Sequence, residues 1–218
     1  MIGLVILGLV LVFLAVLVLR ALMFNPKPQP QLDAEPIDFD KDAAVSALQQ
    51  LVRCKTVSNV DPALEDDAEF EKLINLLPEL YPHIVKACTF TRFPDRGLLF
   101  HWQGKAHDKP SVMMAHYDVV PVQEDMWEKP PFAAILEDGV LWGRGTLDTK
   151  VTLNGALSAA NYLVQKGFVP EQDIYFAFSG GEEVNGKGAE NIVNYFAQQG
   201  IVPALVVDEG GAVVENVF

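Results

Sequence analysis

Four clusters of acidic or imidazole side chains directly follow apolar or glycine-rich stretches of the sequence. In the first, His116 and Asp118 stand two residues apart at the end of an apolar run. Side chains two apart in an extended chain point to the same side, so Asp118 can accept a hydrogen bond from the ring nitrogen that a metal bound to His116 leaves free. By itself, a His-x-Asp pair is not specific for a metal site.

The other three clusters are carboxylates in loops. Asp148 precedes a predicted helix, where it can bridge two cations or serve as an ordinary helix N-cap. Glu182 and Glu183 follow Ser-Gly-Gly, so one can bind a metal while the other stays free as a base, although such pairs are also common on solvated surfaces. Asp208 ends an apolar run, and a carboxylate there is costly unless a positive group neutralises it.

Together the clusters supply one imidazole and at least three carboxylates, a ligand set that suits zinc or a related divalent ion. The two cysteines, Cys54 and Cys88, have no paired spacing, which excludes a disulfide scaffold and a thiolate zinc site but leaves their redox state open. Two metals about 3.5–4 Å apart need a bridging carboxylate, and such a site generates hydroxide near neutral pH and polarises a carbonyl.

The spacing of apolar residues predicts the elements that bring these clusters together. Helical periodicity predicts helices over 40–54, 67–77, from 149 to a stop at Gly167, and over 189–199. Apolar and β-branched runs predict strands at 88–93, 98–102, 112–116, 174–178 and 204–207. This alternation indicates an α/β fold with a central, mostly parallel sheet flanked by helices, with ligands at the carboxyl ends of the strands.

The chain divides into three parts. Residues 1–24 are apolar except for Gly3, Gly8 and Arg20, and at about 1.5 Å per residue they span about 30 Å of hydrocarbon, which predicts one transmembrane helix. Residues 25–38 contain four prolines and predict an extended linker. Residues 39–218 form the globular domain.

We expect the N-terminal helix to be an uncleaved anchor, which makes the protein a single-pass membrane protein. A cleaved secretory signal is disfavoured because no Lys or Arg precedes the apolar run, the run exceeds about 15 residues, and no small-x-small cleavage site follows it. Arg20 and Lys27 flank the C-terminal side and favour a cytoplasmic body by the positive-inside rule. The side of the membrane on which the globular domain lies stays open.

Size and charge narrow the function classes. The 218 residues have room for one ordinary domain and an appendage, but not for two large domains. The formal net charge of −13, from 16 Lys and Arg against 29 Asp and Glu, disfavours nucleic acid as a partner.

Five ordered motifs resemble a known family: AHYDVVPV, Trp127 with Pro131-Phe132, DGVLWGRGTLDTK, SGGEEVNGKGA and VVDEGG. They are similar to the co-catalytic di-zinc metallopeptidases, which include glutamate carboxypeptidase, aminoacylase, acetylornithine deacetylase and succinyl-diaminopimelate desuccinylase. The likeness is greatest to the branch of vacuolar carboxypeptidase S and the N-fatty-acyl-amino-acid hydrolases. It extends from about residue 40 to the end of the chain.

The resemblance implies roles for the acidic clusters. His116 and Asp208 would bind one zinc ion, Glu183 the other, and Asp148 would bridge them. Manganese or cobalt are alternatives to the two zinc ions. The substrate implied is a short peptide or an N-acyl amino acid.

The same resemblance implies a mechanism. Asp118 would orient His116, and Glu182 would act as the general base. Glu182 would take a proton from a metal-bridging water that attacks the amide carbonyl, and would then pass it to the leaving amine.

Three features depart from the family pattern. Thr149 stands where the family often has a second Asp after the bridging one. The lid or dimerisation domain typical of the family does not follow the matched segment. None of the other histidines, His83, His101 and His107, lies in a motif that matches the family's final metal ligand. The chain therefore resembles the N-terminal part of the catalytic domain, and we expect these 218 residues alone to bind metal weakly and to hydrolyse slowly or not at all.

Several alternatives stay open. The chain could be a catalytically inert metal-binding or interaction protein, or an inactive truncated fragment of the enzyme. An aminopeptidase with a similar di-zinc core is a third alternative, although the GGEE and GRGTLDTK contexts favour the carboxypeptidase and deacylase branch. The likeness to secreted and vacuolar enzymes favours a globular domain outside the cytoplasm, whereas the flanking positive charges favour a cytoplasmic one. The likeness also leaves open a homodimer through the domain that this chain lacks.

Overall fold

The computed structural model describes residues 2–25 and 37–209 and divides the chain into two units, 1–38 and 39–218. The first unit contains helix α1 (Ile2–Leu22). By length and composition, Gly3–Leu22 is suited to crossing a membrane, as predicted, although a signal sequence has the same properties. The predicted linker lies, apart from its ends, outside the described residues, as do Gly210 and Gly211 of the last motif.

The second unit contains five α-helices and seven strands among its described residues. The helices are α2 (Lys41–Val52), α3 (Asp67–Leu80), α4 (Pro82–Ala87), α5 (Val151–Gln165) and α6 (Gly188–Gln199). The strands are β1 (Thr89–Phe93), β2 (Gly97–Trp102), β3 (Ala106–His116), β4 (Ile135–Glu137), β5 (Val140–Trp142), β6 (Gln172–Ser179) and β7 (Leu205–Val207).

Five strands form a central sheet in the order β1-β2-β6-β3-β7. Strand β3 pairs in parallel with β6 and β7, whereas β2 pairs antiparallel with both β1 and β6. Four strands therefore run in one direction and β2 in the other, which confirms the predicted α/β fold with a mixed, mostly parallel sheet. Strands β4 and β5 form a separate two-stranded sheet.

The sequence explains most element boundaries. Asp40 and Asp66 accept hydrogen bonds from the first-turn amides of α2 and α3, and α6 ends at Gly200 in the left-handed conformation. Helix α4 and the β4–β5 hairpin were not predicted from the sequence. Helix α4 has six residues and strands β4 and β5 have three each, and such short elements show too little periodicity to be recognised.

The middle strands of the central sheet are buried on both faces. Along β2, Leu98 and Phe100 point into a large core shared with α2 to α5, and Leu99 between them points into a smaller core beneath α6. Successive side chains of a strand alternate between faces, so covering both faces requires a continuous apolar run of the kind that β2 has. In these middle strands polar side chains consequently lie mainly towards the ends.

Strand β7 forms an edge of this sheet. Its three apolar side chains, Leu205, Val206 and Val207, are 52%, 51% and 43% exposed. A cavity of about 360 Å³ lies beside it, between the sheet and α6, with apolar lining that includes Met114 and Ile192.

Helix α5 provides a test of this packing. Leu153 is fully buried in the large core, and we expect Leu153→Ala to lower the free energy of unfolding by about 2–5 kcal/mol because it removes buried methyl groups and leaves a cavity. Leu163→Ala, the same change in the same helix at a side chain that is 37% exposed, should cost less than half as much. Urea unfolding measures both, and equal losses would contradict the described core.

Candidate metal centre

The predicted site residues meet at one edge of the central sheet. His116 is the last residue of β3, Glu182 and Glu183 begin three residues after the end of β6, and Asp208 follows β7. Because β3, β6 and β7 are parallel, their carboxyl ends lie at the same edge, where open α/β sheets bind ligands.

Asp148 reaches the edge from a different element. It lies in the loop between the β4–β5 hairpin and α5, and so it follows a strand of the small sheet rather than of the central one. At Gly145 the loop lies close to the side chain of Val119. The φ of Gly145 is +79°, and a Cβ added there would lie 2.4 Å from Val119. Only glycine fits there without displacing a neighbour. A non-proline cis peptide joins Asp148 to Thr149, the position where the family pattern and this sequence differ.

His116 is at the centre of the cluster. Its Nε2 atom lies 2.9 Å from Asp148 Oδ1, 3.5 Å from Glu209 Oε2 and 3.9 Å from Glu182 Oε2. Ligand atoms of His116, Asp148 and Glu183 lie within 4.8 Å of one another, and those of His116, Glu182 and Glu209 form a second such group. The structure thus brings four predicted residues together: His116, Asp148, Glu182 and Glu183.

The residue pair after β7 differs from the prediction in arrangement. Asp208 is exposed, and its Oδ1 atom accepts a hydrogen bond from the backbone N–H of Glu209 at 2.9 Å. Among the described residues, Glu209 rather than Asp208 is in the cluster around His116. The sequence indicated Glu209 only through its place beside Asp208. The ligand role of Asp208 itself stays a prediction.

Asp118 lies fully buried beneath the cluster and accepts hydrogen bonds from two other segments of the chain. Its Oδ1 atom accepts from the backbone N–H of Glu182 at 3.1 Å, and its Oδ2 atom from that of Glu183 at 3.2 Å and from Ser58 Oγ at 2.7 Å. Oδ1 also lies 3.4 Å from His116 Nδ1, whose shorter contact, at 3.1 Å, is with the Asp118 carbonyl oxygen. The contact with His116 was expected, whereas Ser58 and the two amides were not.

The charges of this cluster alter the pKa of the buried groups. Burial lowers the pKa of His116, but hydrogen bonds to Asp118 and Asp148 and the charges of Asp118 and Glu209 outweigh burial and raise it to about 9. For Asp118, burial raises the pKa, and the hydrogen bonds from His116, Ser58 and Glu182 outweigh it, so the net shift is downward. Asp118 is therefore ionised at neutral pH.

Two carboxyl groups of the cluster shift in the opposite direction. The pKa of Glu183 is raised by burial and by the charge of Asp148, and that of Glu209 by burial and by neighbouring carboxylates, against the opposing effect of His116. Burial is the main cause of the raised pKa of Glu183 and Glu209, but neighbouring carboxylates raise the pKa of all three groups, His116 included. The cluster fits a divalent cation, and its imidazole and carboxylates are ligands that suit zinc.

Lys150 links the Asp148 loop to α2. It is fully buried, and its Nζ atom donates hydrogen bonds to the carbonyl oxygens of Leu51 at 3.0 Å and Cys54 at 2.7 Å. Burial lowers its pKa to about 8. These bonds fix the loop two residues beyond Asp148.

Comparison with known proteins identifies the class. Residues 112–217, which include every predicted site residue, match the model of the peptidase family M20/M25/M40. This match and the sequence relatives described next show that the chain belongs to this family, which confirms the resemblance predicted from its motifs.

Three relatives illustrate the match. The chain is 30% identical to the human N-fatty-acyl-amino acid synthase/hydrolase PM20D1, over 83% of this chain and 37% of that protein. It is 32% identical to the probable carboxypeptidase S-like 2 of Dictyostelium discoideum, over 96% of this chain and 43% of that protein. Among solved structures, the M20 family metallo-carboxypeptidase Sso-CP2 from Sulfolobus solfataricus superposes with a TM-score of 0.62 at 21% identity, over 80% of this chain and 38% of the other.

These comparisons differ in what they support. The chain spans about two fifths of the length of the two sequence relatives. The structural likeness, at 21% identity, supports the fold alone.

The pKa of His116 tests the described cluster. In the metal-free chain, Asp118→Asn should lower the pKa of His116 from about 9 towards its ordinary value of 6.5, because the largest of the effects that oppose burial is lost. The stabilisation that a raised histidine pKa gives is complete below about pH 6.5 and disappears as pH rises through about 9, so the variant should lose this dependence.

Histidine ring signals in an NMR pH titration measure the change. Asp173→Asn is the matched control, because Asp173 is another buried carboxylate, bound to His101 and His107 at the opposite end of β6. It should leave the His116 titration in place, and an unchanged His116 pKa in Asp118→Asn would contradict the geometry.

Proposed function

We propose that this chain carries part of the active centre of a zinc-dependent hydrolase that cleaves amide bonds of short peptides or N-acyl amino acids. The observation that carries the proposal is the convergence of His116, Asp148 and Glu183 at one sheet edge in a member of a peptidase family. The carboxypeptidase or deacylase type is supported by the names of the relatives, which describe a fatty-acyl-amino acid hydrolase and a carboxypeptidase S-like protein.

In this proposal His116, Asp148, Glu183 and Asp208 hold two zinc ions, with manganese or cobalt as alternatives. Bound zinc supplies a Lewis acid for the amide carbonyl and lowers the pKa of water. The excess of negative charge around His116 supports this assignment. Asp118 keeps the ring of His116 oriented through Nδ1, which leaves Nε2 facing the cluster.

Glu182 is the general base of the proposed reaction. Its backbone N–H is held by Asp118, while its side chain is 51% exposed and ends 3.9 Å from His116 Nε2. The backbone of Glu182 is therefore held in place, while its side-chain carboxylate is half exposed to solvent. There it takes a proton from the attacking water and delivers it to the leaving amine.

The substitution Glu182→Gln tests this role. It keeps the backbone hydrogen bond to Asp118 but removes the proton acceptor, so zinc content should be retained while turnover falls by about 10²- to 10⁴-fold. Glu183→Gln is the matched control at the next residue and should lose zinc instead. Metal analysis and hydrolysis of an N-acyl amino acid and a dipeptide panel measure both, and undiminished turnover in Glu182→Gln would contradict the assignment.

A comparison of chain lengths tests the proposal as a whole. We expect the 218-residue chain to bind zinc weakly and turn over slowly or not at all, and a chain extended to the natural stop codon to bind two zinc ions and turn over. The Glu182→Gln test is made on the form that turns over. If neither form binds zinc or cleaves a substrate, the protein acts through association instead.

We also propose that α1 anchors the protein in a membrane. Support comes from its length and its apolar composition.

Expression of the protein in cells tests the anchor. The chain should stay in the membrane fraction after alkaline carbonate washing and keep its N-terminal residues by intact mass. A chain lacking residues 1–24 should instead be released. A soluble product cleaved after the apolar run would show that the segment is a signal sequence.

A further inference from the structure

A short extended segment lies directly beneath the metal centre. Residues 56–58 run alongside residues 117–119, with the N–H of Ser58 donating to Val119 O at 3.1 Å and the N–H of Val119 donating to Thr56 O at 2.9 Å. Val57 and Val119 form a parallel bridge. The side chains of Thr56 and Ser58 are both fully buried.

The two hydroxyl groups of this segment have different partners. Thr56 Oγ1 donates to the backbone carbonyl of Tyr117. This hydrogen bond does not involve a side chain of the acidic cluster. Ser58 Oγ donates to Asp118 Oδ2 at 2.7 Å, the shortest of the hydrogen bonds that the Asp118 carboxylate accepts. The segment therefore offers two similar buried hydroxyls, of which one acts on the centre.

The loop that carries Glu182 and Glu183 has backbone hydrogen bonds of its own, such as that from Gly186 N–H to Gly181 O at 2.6 Å, but these join only residues within the loop. It follows Gly180 and Gly181, forms only a single turn of 3-10 helix, and reaches Gly186 before α6 begins. Glycine-rich backbone has large conformational freedom, so its position depends on the bonds that hold it. The two amide bonds to Asp118 tie this loop to the end of β3.

We propose that Ser58 is a positioning residue for the metal centre and acts through Asp118. Its hydroxyl fixes the rotation of the buried carboxylate, so that Oδ1 faces the N–H of Glu182 and Oδ2 the N–H of Glu183. Without the hydroxyl, Oδ2 keeps only the 3.2 Å amide bond and the carboxylate can turn away from the loop. The effect on zinc rests on the proposed function, whereas the effect on the loop does not.

Amide hydrogen exchange in the metal-free, full 218-residue chain in detergent micelles tests the proposal. Hydrogen bonds to charged groups contribute about 1.5–3 kcal/mol, so we expect Ser58→Ala to accelerate exchange of the Glu182 and Glu183 amides by about tenfold or more. Thr56→Val is the matched control, since it removes an equally buried hydroxyl bond in the same segment, and it should change these two rates by less than about twofold. Equal rates in the two variants, or amides unprotected in the parent chain, would overturn the proposal.

Zinc titration calorimetry of the same proteins supplies a second readout. Ser58→Ala should weaken zinc binding by about tenfold relative to Thr56→Val, while Ser58→Thr, which keeps the hydroxyl, should restore most of the affinity. Zinc affinity equal to the parent in Ser58→Ala would overturn the proposal. If the parent chain binds no zinc but the exchange rates respond as expected, the proposed function fails and the positioning role stands.

Variant folding is checked by urea unfolding. If Ser58→Ala does not fold, Ser58→Cys takes its place, because a thiol has similar shape and is a weaker donor. In that variant we expect the Glu182 and Glu183 amides to exchange faster than in the parent chain, by less than about tenfold. Rates equal to the parent would again contradict the role of the hydroxyl.

Discussion

The arrangement of the centre depends on one buried carboxylate. Asp118 is fully buried, yet its two oxygen atoms accept hydrogen bonds from Ser58, Glu182 and Glu183 and lie against the ring of His116. A charge removed from water is tolerated only when such bonds replace its hydration. Three segments distant in sequence must therefore meet at this point, and their meeting fixes the ligands above it.

The sheet explains why this point lies at an edge. Both faces of the middle strands are covered by helices, so few polar side chains lie in the centre of these strands. Where β3 and β6 end, this restriction ends too, and polar residues follow immediately. The Asp148 loop, secured by the buried Lys150, approaches the same edge from outside the sheet.

Sequence patterns predicted much of this arrangement, but not all of it. Apolar runs placed the strands, and the motifs that follow them identified His116, Asp118, Asp148, Glu182 and Glu183. Ser58 could not be found in this way, because its bond to Asp118 joins residues 60 positions apart and leaves no local pattern. Glu209 was missed for a different reason: two adjacent acids end the same strand, and only the backbone geometry decides which one faces His116.

The edge formed by β7 affects how the protein behaves at high concentration. Among the described residues, no strand pairs with the outer side of β7, and such an edge with exposed apolar side chains offers backbone donors and acceptors to another extended chain. The apolar cavity beside it adds surface that water solvates poorly. In the absence of another polypeptide on this edge, we expect self-association and aggregation to set the limit on solubility, although the net charge of −13 opposes them.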